Sequence, residues 1–208
     1  KELAKMMIID DSLEQGINNY KGMGVIGTSG IGKSRFLKEI SYHLRLRGKN
    51  VFYDELVKKE NNDLLNLTSI FKQTIKDVDA EAMEQLKGEL AEILPDLKVK
   101  YDVNDETSLI TEKNRYILYN KISNYISNIA KEKIHYIILD DLQNANLLSL
   151  IDFLMNNLKT KNVFFIFSFC ESKDNDDNRV KNTISRWIKN KDIIDIELHN
   201  LNLEEIAE

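Results

Sequence analysis

The 208-residue chain has a single cysteine, a single proline and no long apolar run. Its one cysteine, Cys170, excludes an intramolecular disulfide and predicts a reducing cytoplasmic location. No apolar run approaches the roughly 20 residues that cross a bilayer, and no signal peptide is apparent, so no membrane partner is expected. The only proline, Pro95, ends a stretch of helical periodicity over residues 61–94.

Acidic residues outnumber basic ones, with 34 Asp and Glu against 29 Lys and Arg, so the formal net charge is −5. Affinity for nucleic acid rests on Lys and Arg side chains that meet phosphates, so a nucleic-acid partner is not expected for this domain beyond a local basic patch. The composition, 42% apolar and 30% charged, is that of a soluble globular domain. The first residue is Lys1 and not methionine, and we therefore expect the chain to be part of a longer protein.

One stretch has the spacing of a phosphate-binding loop. Residues 27–34 read GTSGIGKS, which matches G-x-x-x-x-G-K-[ST] between a short apolar run and a helical pattern. Glycines let the backbone approach an anion, and the N–H groups at the helix start point towards it. Lys33 is expected to reach the terminal phosphates and Ser34 to bind Mg²⁺. The residues predicted to contact nucleotide are Gly27, Thr28, Ser29, Gly30, Ile31, Gly32, Lys33, Ser34 and Arg35.

Strand-like and helix-like patterns alternate along the chain, which predicts a parallel sheet with helices on both faces. One or two helices are expected before the first strand, with Ser12 and Gln15 forming a capping box. The carboxyl ends of parallel strands share one edge, where ligands bind. The predicted strands cover residues 23–27, 50–56, 134–141, 163–167 and 193–198.

Two carboxylates, Asp140 and Asp141, end the third predicted strand. Asp140 is predicted to bind Mg²⁺ directly or through water, and Asp141 to act with Lys33 in catalysis, as the base that activates water. The alternative interpretation is a turn with two solvated acids, or a helix N-cap. Ser168 and Cys170 end the fourth strand and are candidates either for sensing a γ-phosphate or for packing.

These motifs resemble the AAA-type ATPase module of large bacterial signalling regulators, close to the STAND class (signal-transduction ATPases with numerous domains). The resemblance implies a P-loop NTPase three-layer α/β sandwich, with a five-stranded, mostly parallel sheet in the order 5-1-4-3-2. It also implies ATP, ADP and Mg²⁺ as ligands, fused or associated signalling domains and a nucleotide-dependent homo-oligomer. The similar stretches are residues 1–3, 27–40, 94–97, 114–119, 137–146 and 201–206.

The chain departs from this family at two places. Cys170 stands where the family usually has an arginine that senses the γ-phosphate, and Gln143 and Asn144 replace a His-Trp pair. A transition-state arginine is worth about 10³–10⁵ in rate, so slow turnover is expected unless a partner or another arginine supplies the charge. We expect the lid that follows such modules to lie beyond residue 208. Other arginines considered for a phosphate contact are Arg115, Arg179 and Arg186.

We predict ATP binding and hydrolysis as a nucleotide-dependent switch in a multidomain signalling or transcriptional regulator. Two alternatives stay open on the sequence. A nucleotide-binding module with little or no turnover is favoured by the missing arginine at Cys170. A P-loop small-molecule kinase would need an arginine-rich lid, which the sequence does not show. A DNA-remodelling ATPase is disfavoured by the acidic net charge.

Overall fold

The computed structural model has a parallel β-sheet covered by helices on both faces. It describes residues 2–56, 70, 73, 112–144, 147–170 and 178–199. The predicted helical stretch over 61–94, apart from residues 70 and 73, lies outside the described residues. So do Pro95 and the family-like segments at 94–97 and 201–206.

The described strands form one five-stranded sheet in the order β2-β3-β4-β1-β5, and every neighbouring pair is parallel. This confirms the predicted order. The described elements are α1 (Glu2–Glu14), β1 (Gly22–Gly27), α2 (Lys33–Leu46), β2 (Asn50–Glu55), α3 (Glu112–Ile129), β3 (His135–Asp140), a short 3₁₀ turn (Leu142–Asn144), α4 (Leu148–Asn157), β4 (Val163–Cys170), α5 (Asn178–Lys189) and β5 (Ile193–Glu197).

The apolar strands divide their side chains between two cores. In β4, Phe165 and Phe167 pack into the core that contains α3, α4 and α5. Phe164 and Ile166 point to the other face and pack with α1 and α2. Successive strand residues face opposite sides, so a strand covered on both faces must be apolar throughout. This is why the central strands read as continuous apolar runs.

Helix α1 runs through to Glu14, past the capping box that the sequence predicts at Ser12 and Gln15. The Ser12 hydroxyl donates to the Ile9 carbonyl oxygen at 2.7 Å, one turn back in the same helix. That prediction is therefore wrong. A serine hydroxyl inside a helix can bond back to a carbonyl of the preceding turn, and sequence spacing alone does not distinguish this from a cap.

A buried carboxylate, Asp10, joins α1 to two other elements. The Tyr136 hydroxyl of β3 donates to Asp10 Oδ1 at 2.5 Å. Beyond the end of α2, Lys49 Nζ lies 3.2 Å from the same oxygen and Arg47 Nε 2.9 Å from Oδ2. Burial raises the pKa of Tyr136, and the bond to Asp10 raises it further, so the hydroxyl stays protonated as a donor. The network therefore joins α1 to the start of β3 and to the segment that follows α2.

Replacing Asp10 with alanine should destabilise the domain, because the buried Tyr136 hydroxyl and two cations would lose their shared partner. We expect Asp10→Ala to lower the free energy of unfolding by about 1–3 kcal/mol, measured by urea denaturation. Asp11→Ala is the matched control, because Asp11 is exposed and also pairs with Arg47. It should cost less than about 1 kcal/mol. Equal losses in the two variants would contradict the role given to Asp10.

Candidate nucleotide-binding site

Parallel strands bring the candidate residues to one edge of the sheet. The phosphate loop, residues 27–34, follows β1, and the acidic pair ends β3. Strand β4 lies between β1 and β3, so Ser168 lies between the loop and the acids. In the sheet register, Cys170 pairs with Gly27. The grouping of these residues at the carboxyl edge agrees with the sequence prediction.

Two glycines of the phosphate loop occupy positions that a side chain would disturb. Gly32 has φ 102°, in the left-handed region that favours glycine. A Cβ atom on Gly27 would lie 2.9 Å from Ile31 Cγ2 and 3.1 Å from the Leu198 carbonyl oxygen. Gly32 is also the N-cap of α2, and no side chain caps that helix. The N–H groups of its first turn are therefore oriented for an anion.

Lys33 begins α2 and folds back onto the start of the loop. Its Nζ donates to the Gly27 carbonyl oxygen at 3.0 Å and to the Thr28 carbonyl oxygen at 2.8 Å. The side chain is buried, with 6% exposure, so these bonds offset the loss of water around the ammonium. An ammonium has three N–H donors, so one remains for an anion.

The other loop residues differ in exposure. Ser34 is half-buried in the first turn of α2, and its hydroxyl makes no hydrogen bond within the described ranges. Ser34 thus lies at the same edge of the sheet as Asp140, but no hydrogen bond joins the two side chains. Ile31 is half-buried. The predicted contact residues that face solvent are Thr28, Ser29, Gly30, Gly32 and Arg35.

The Asp140 carboxylate is completely buried, and each of its oxygens accepts a hydrogen bond from a hydroxyl group. Tyr53 donates to Oδ2 at 3.0 Å, and Ser168, itself completely buried, donates to Oδ1 at 2.5 Å. An ionised carboxylate is costly to bury without such donors. The interpretation of Asp140 as a solvated turn residue is therefore wrong.

Tyr53 remains a donor because burial, and next the charge of Asp140, raise the pKa of its hydroxyl. Sequence reasoning found Ser168 only as a candidate for phosphate sensing or packing, and it missed Tyr53. The aromatic run of β2 predicts a strand. It carries no signal that one of its side chains reaches an acid 87 residues later.

Asp141 has a different environment from Asp140. It is half-buried, with φ 59°, and its backbone N–H donates to Ser168 Oγ at 2.9 Å. Its Oδ1 accepts from Gln143 Nε2 at 3.1 Å. One acid of the pair is thus enclosed, whereas the other is partly open to solvent. Two carboxylates in different environments can serve two different chemical roles.

The position where the family resemblance expects an arginine is next to the phosphate loop. Cys170 is a half-buried free thiol, paired in the sheet with Gly27. Arg186 is held elsewhere, because it forms an ion pair of 2.7 Å with Asp152 between α5 and α4. The side chains of Arg115 and Arg179 lie outside the described residues.

The oxygen atoms of side chains at this edge fit as ligands of a magnesium ion that is bound together with nucleotide. Among the described residues, no three or more His, Cys, Asp or Glu side chains are grouped to hold a metal ion by themselves. The Ser34 hydroxyl and the Asp140 carboxylate are the hard oxygen ligands that Mg²⁺ prefers. Mg²⁺ commonly takes one or two protein ligands and completes its shell with phosphate oxygens and water.

The site combines a glycine loop between β1 and α2 with a buried acid at the end of β3, on a sheet of this order. This combination defines a P-loop nucleotide-binding domain. A family model described as AAA ATPase domain matches residues 11–166, which is most of the chain. The chain therefore belongs to the AAA ATPase domain family. This family of ATPase domains binds nucleotide, which confirms the coarse part of the predicted resemblance.

Solved structures with a similar fold come from different organisms. They are PCH-2 of C. elegans (12% identity, TM-score 0.46, covering 96% of this chain and 42% of that one), AMPPCP-bound DnaA from Aquifex aeolicus (16%, 0.45, 96% and 46%) and CDC6P from Pyrobaculum aerophilum (11%, 0.49, 93% and 44%). The chain spans less than half of the length of each. Among curated proteins, none matches the chain. No described helix is long and apolar enough to span a bilayer.

Removing the Tyr53 hydroxyl should destabilise the domain, since the buried Asp140 carboxylate would keep a donor on only one oxygen. We expect Tyr53→Phe to lower the free energy of unfolding by about 1–3 kcal/mol in urea denaturation. Tyr42→Phe is the control, because Tyr42 is 58% exposed on α2. Its effect should stay within about 0.5 kcal/mol. If the two variants unfold alike, the Tyr53 bond contributes nothing to stability.

Proposed function

We propose that this domain binds Mg·ATP at the phosphate loop, residues 27–34, and hydrolyses it to ADP. The observation that carries the proposal is the buried Lys33 ammonium, held by two loop carbonyls at the same sheet edge as Asp140. Lys33 meets the terminal phosphates, and the loop N–H groups together with Arg35 contact the nucleotide. Ser34 and Asp140 hold the Mg²⁺, which offsets phosphate charge when it is bound.

Asp141 is the general base of the proposed reaction. The oxygen of a water molecule bonds to the γ-phosphorus. The bond from that phosphorus to the β–γ bridging oxygen breaks, and its electron pair leaves with ADP. One water proton passes to the Asp141 carboxylate. The residue is partly exposed, and Gln143 is the one described hydrogen-bond donor to its carboxylate. Both observations support this role, because a base must be reachable by water.

The domain would serve as a nucleotide-dependent switch in a multidomain signalling or transcriptional regulator of the STAND type. ATP would stabilise one arrangement of fused or associated signalling domains, or of a homo-oligomer, and hydrolysis would release it. Membership of the AAA ATPase family and the sequence resemblance support this role. The single free thiol suits a cytoplasmic protein.

A module that binds nucleotide with little turnover is the second candidate. Cys170, paired with Gly27 beside the loop, favours it, because β4 ends at that position with a thiol and not with a guanidinium. Phosphate release by the full-length protein distinguishes the two candidates. Sustained release supports the ATPase, whereas tight ATP binding without release supports the binding module.

Lys33→Ala should abolish nucleotide binding, because the phosphates lose the one buried cation of the described loop. Calorimetric titration with Mg·ATP measures this directly. Lys38→Ala is the matched control, since Lys38 is exposed on the same helix, and it should bind as the wild type does. If Lys33→Ala retained micromolar affinity for Mg·ATP, the assignment of the site would be wrong.

Asp141→Asn should leave Mg·ATP affinity within about threefold of the wild type and lower turnover by about 10²–10⁴, the usual contribution of a general base. Calorimetry and phosphate release give the two quantities. Asp195→Asn, at an exposed position of β5, is the control for the loss of one negative charge. A parallel loss of binding and turnover would mean that Asp141 has a structural role.

A further inference from the structure

The side-chain amide of Gln143 connects Asp141 to the end of β4. Its Nε2 donates to Asp141 Oδ1, and its Oε1 accepts from the Cys170 backbone N–H, both at 3.1 Å. Gln143 lies in the 3₁₀ turn that directly follows Asp141. One planar amide thus holds a carboxylate at one end and the backbone of a central strand at the other.

The backbone of Asp141 is fixed separately. Its N–H donates to Ser168 Oγ, and its φ of 59° is uncommon for a residue other than glycine. Such conformations persist where the surrounding structure determines them. Ser168 therefore sets the backbone of Asp141, whereas the direction of its carboxylate depends on Gln143. The two bonds have separate jobs and can be removed separately.

Without the Gln143 bond, the partly exposed carboxylate of Asp141 could turn among its rotamers. With the bond in place, Oδ1 accepts the amide N–H of Gln143. Across the ranges that the structure describes, Oδ2 accepts no hydrogen bond. The amide is neutral, so it orients the carboxylate without the stronger hold of a charged partner.

We propose that Gln143 is a positioning residue that holds the Asp141 carboxylate so that Oδ2 receives the proton of the attacking water. The inference rests on the proposed function, since it takes Asp141 as the general base. Misplacing a reacting group by about 1 Å can cost about 10²-fold in rate, so an oriented base is worth a measurable factor. Gln143 does not itself meet nucleotide in this proposal.

Two variants separate the donor from the acceptor end of the amide. Gln143→Glu keeps an oxygen for the Cys170 N–H but loses the donor and adds charge. Gln143→Met keeps the length and loses both bonds without adding charge. We expect both to lower kcat for phosphate release by about 10- to 100-fold, with KM and the calorimetric Kd for Mg·ATP within about twofold. Asn157→Asp, an exposed amide-to-acid change on α4, should leave all three constants unchanged.

The outcomes distinguish positioning from a structural role. A kcat within twofold of the wild type in either variant overturns the inference, and so does a Kd that weakens in parallel with kcat. If only Gln143→Glu lost activity, added charge would be the cause and the inference would fail. If Asp141→Asn kept full turnover, or the wild type showed none, the proposed base would fail as well. If Asp141→Asn were inactive and the Gln143 variants normal, this inference alone would fail.

The contact itself can be read without turnover. In ¹⁵N-labelled protein, the side-chain amide signal that disappears in Gln143→Met belongs to Gln143. That signal should shift in Asp141→Asn and keep its position in Asp195→Asn. An unchanged signal in Asp141→Asn would show that Gln143 does not hold the carboxylate, which overturns the inference whatever the activity.

Discussion

The buried carboxylate of Asp140 is the constraint on which the arrangement of the candidate site depends. An ion taken out of water costs several kcal/mol unless hydrogen bonds replace its hydration. Tyr53 of β2 and Ser168 of β4 supply those bonds, so one charge ties three adjacent strands together at their carboxyl ends. Ser168 also constrains the backbone of Asp141, because its hydroxyl oxygen accepts a hydrogen bond from the Asp141 N–H.

A second buried carboxylate organises the opposite end of the same strand. Asp10 of α1 binds Tyr136 near the start of β3 and the cations that follow α2. Helix α2 therefore carries Lys33 at one end and is joined to α1 beyond the other. Two apolar cores, one on each face of the sheet, keep these elements in register. The polar bonds select the arrangement, and the apolar burial supplies most of its stability.

In the proposed function, nucleotide binding and turnover rest on different groups of residues. The phosphate cradle is local, because its glycines, helix N-terminus and Lys33 lie within eight consecutive positions. The proposed turnover involves Asp141, which follows β3 and contacts Gln143. It also involves the end of β4, where Cys170 stands in place of the arginine that the family resemblance implies. Membership of the AAA ATPase family establishes the nucleotide-binding class. In this proposal the rate of hydrolysis depends on how the side chains of Asp141 and Gln143 are held.

By itself the sequence determined the phosphate loop, the alternation of strands and helices and the acidic strand end, because each is encoded in neighbouring residues. With the family resemblance, it also predicted the strand order. Tertiary structure decided the contacts of Asp140, whose partners lie 87 and 28 residues away in the chain. It also decided that Ser12 bonds within α1 and does not cap a helix. Which distant side chains meet depends on register and on burial from both sides, and no local pattern records either.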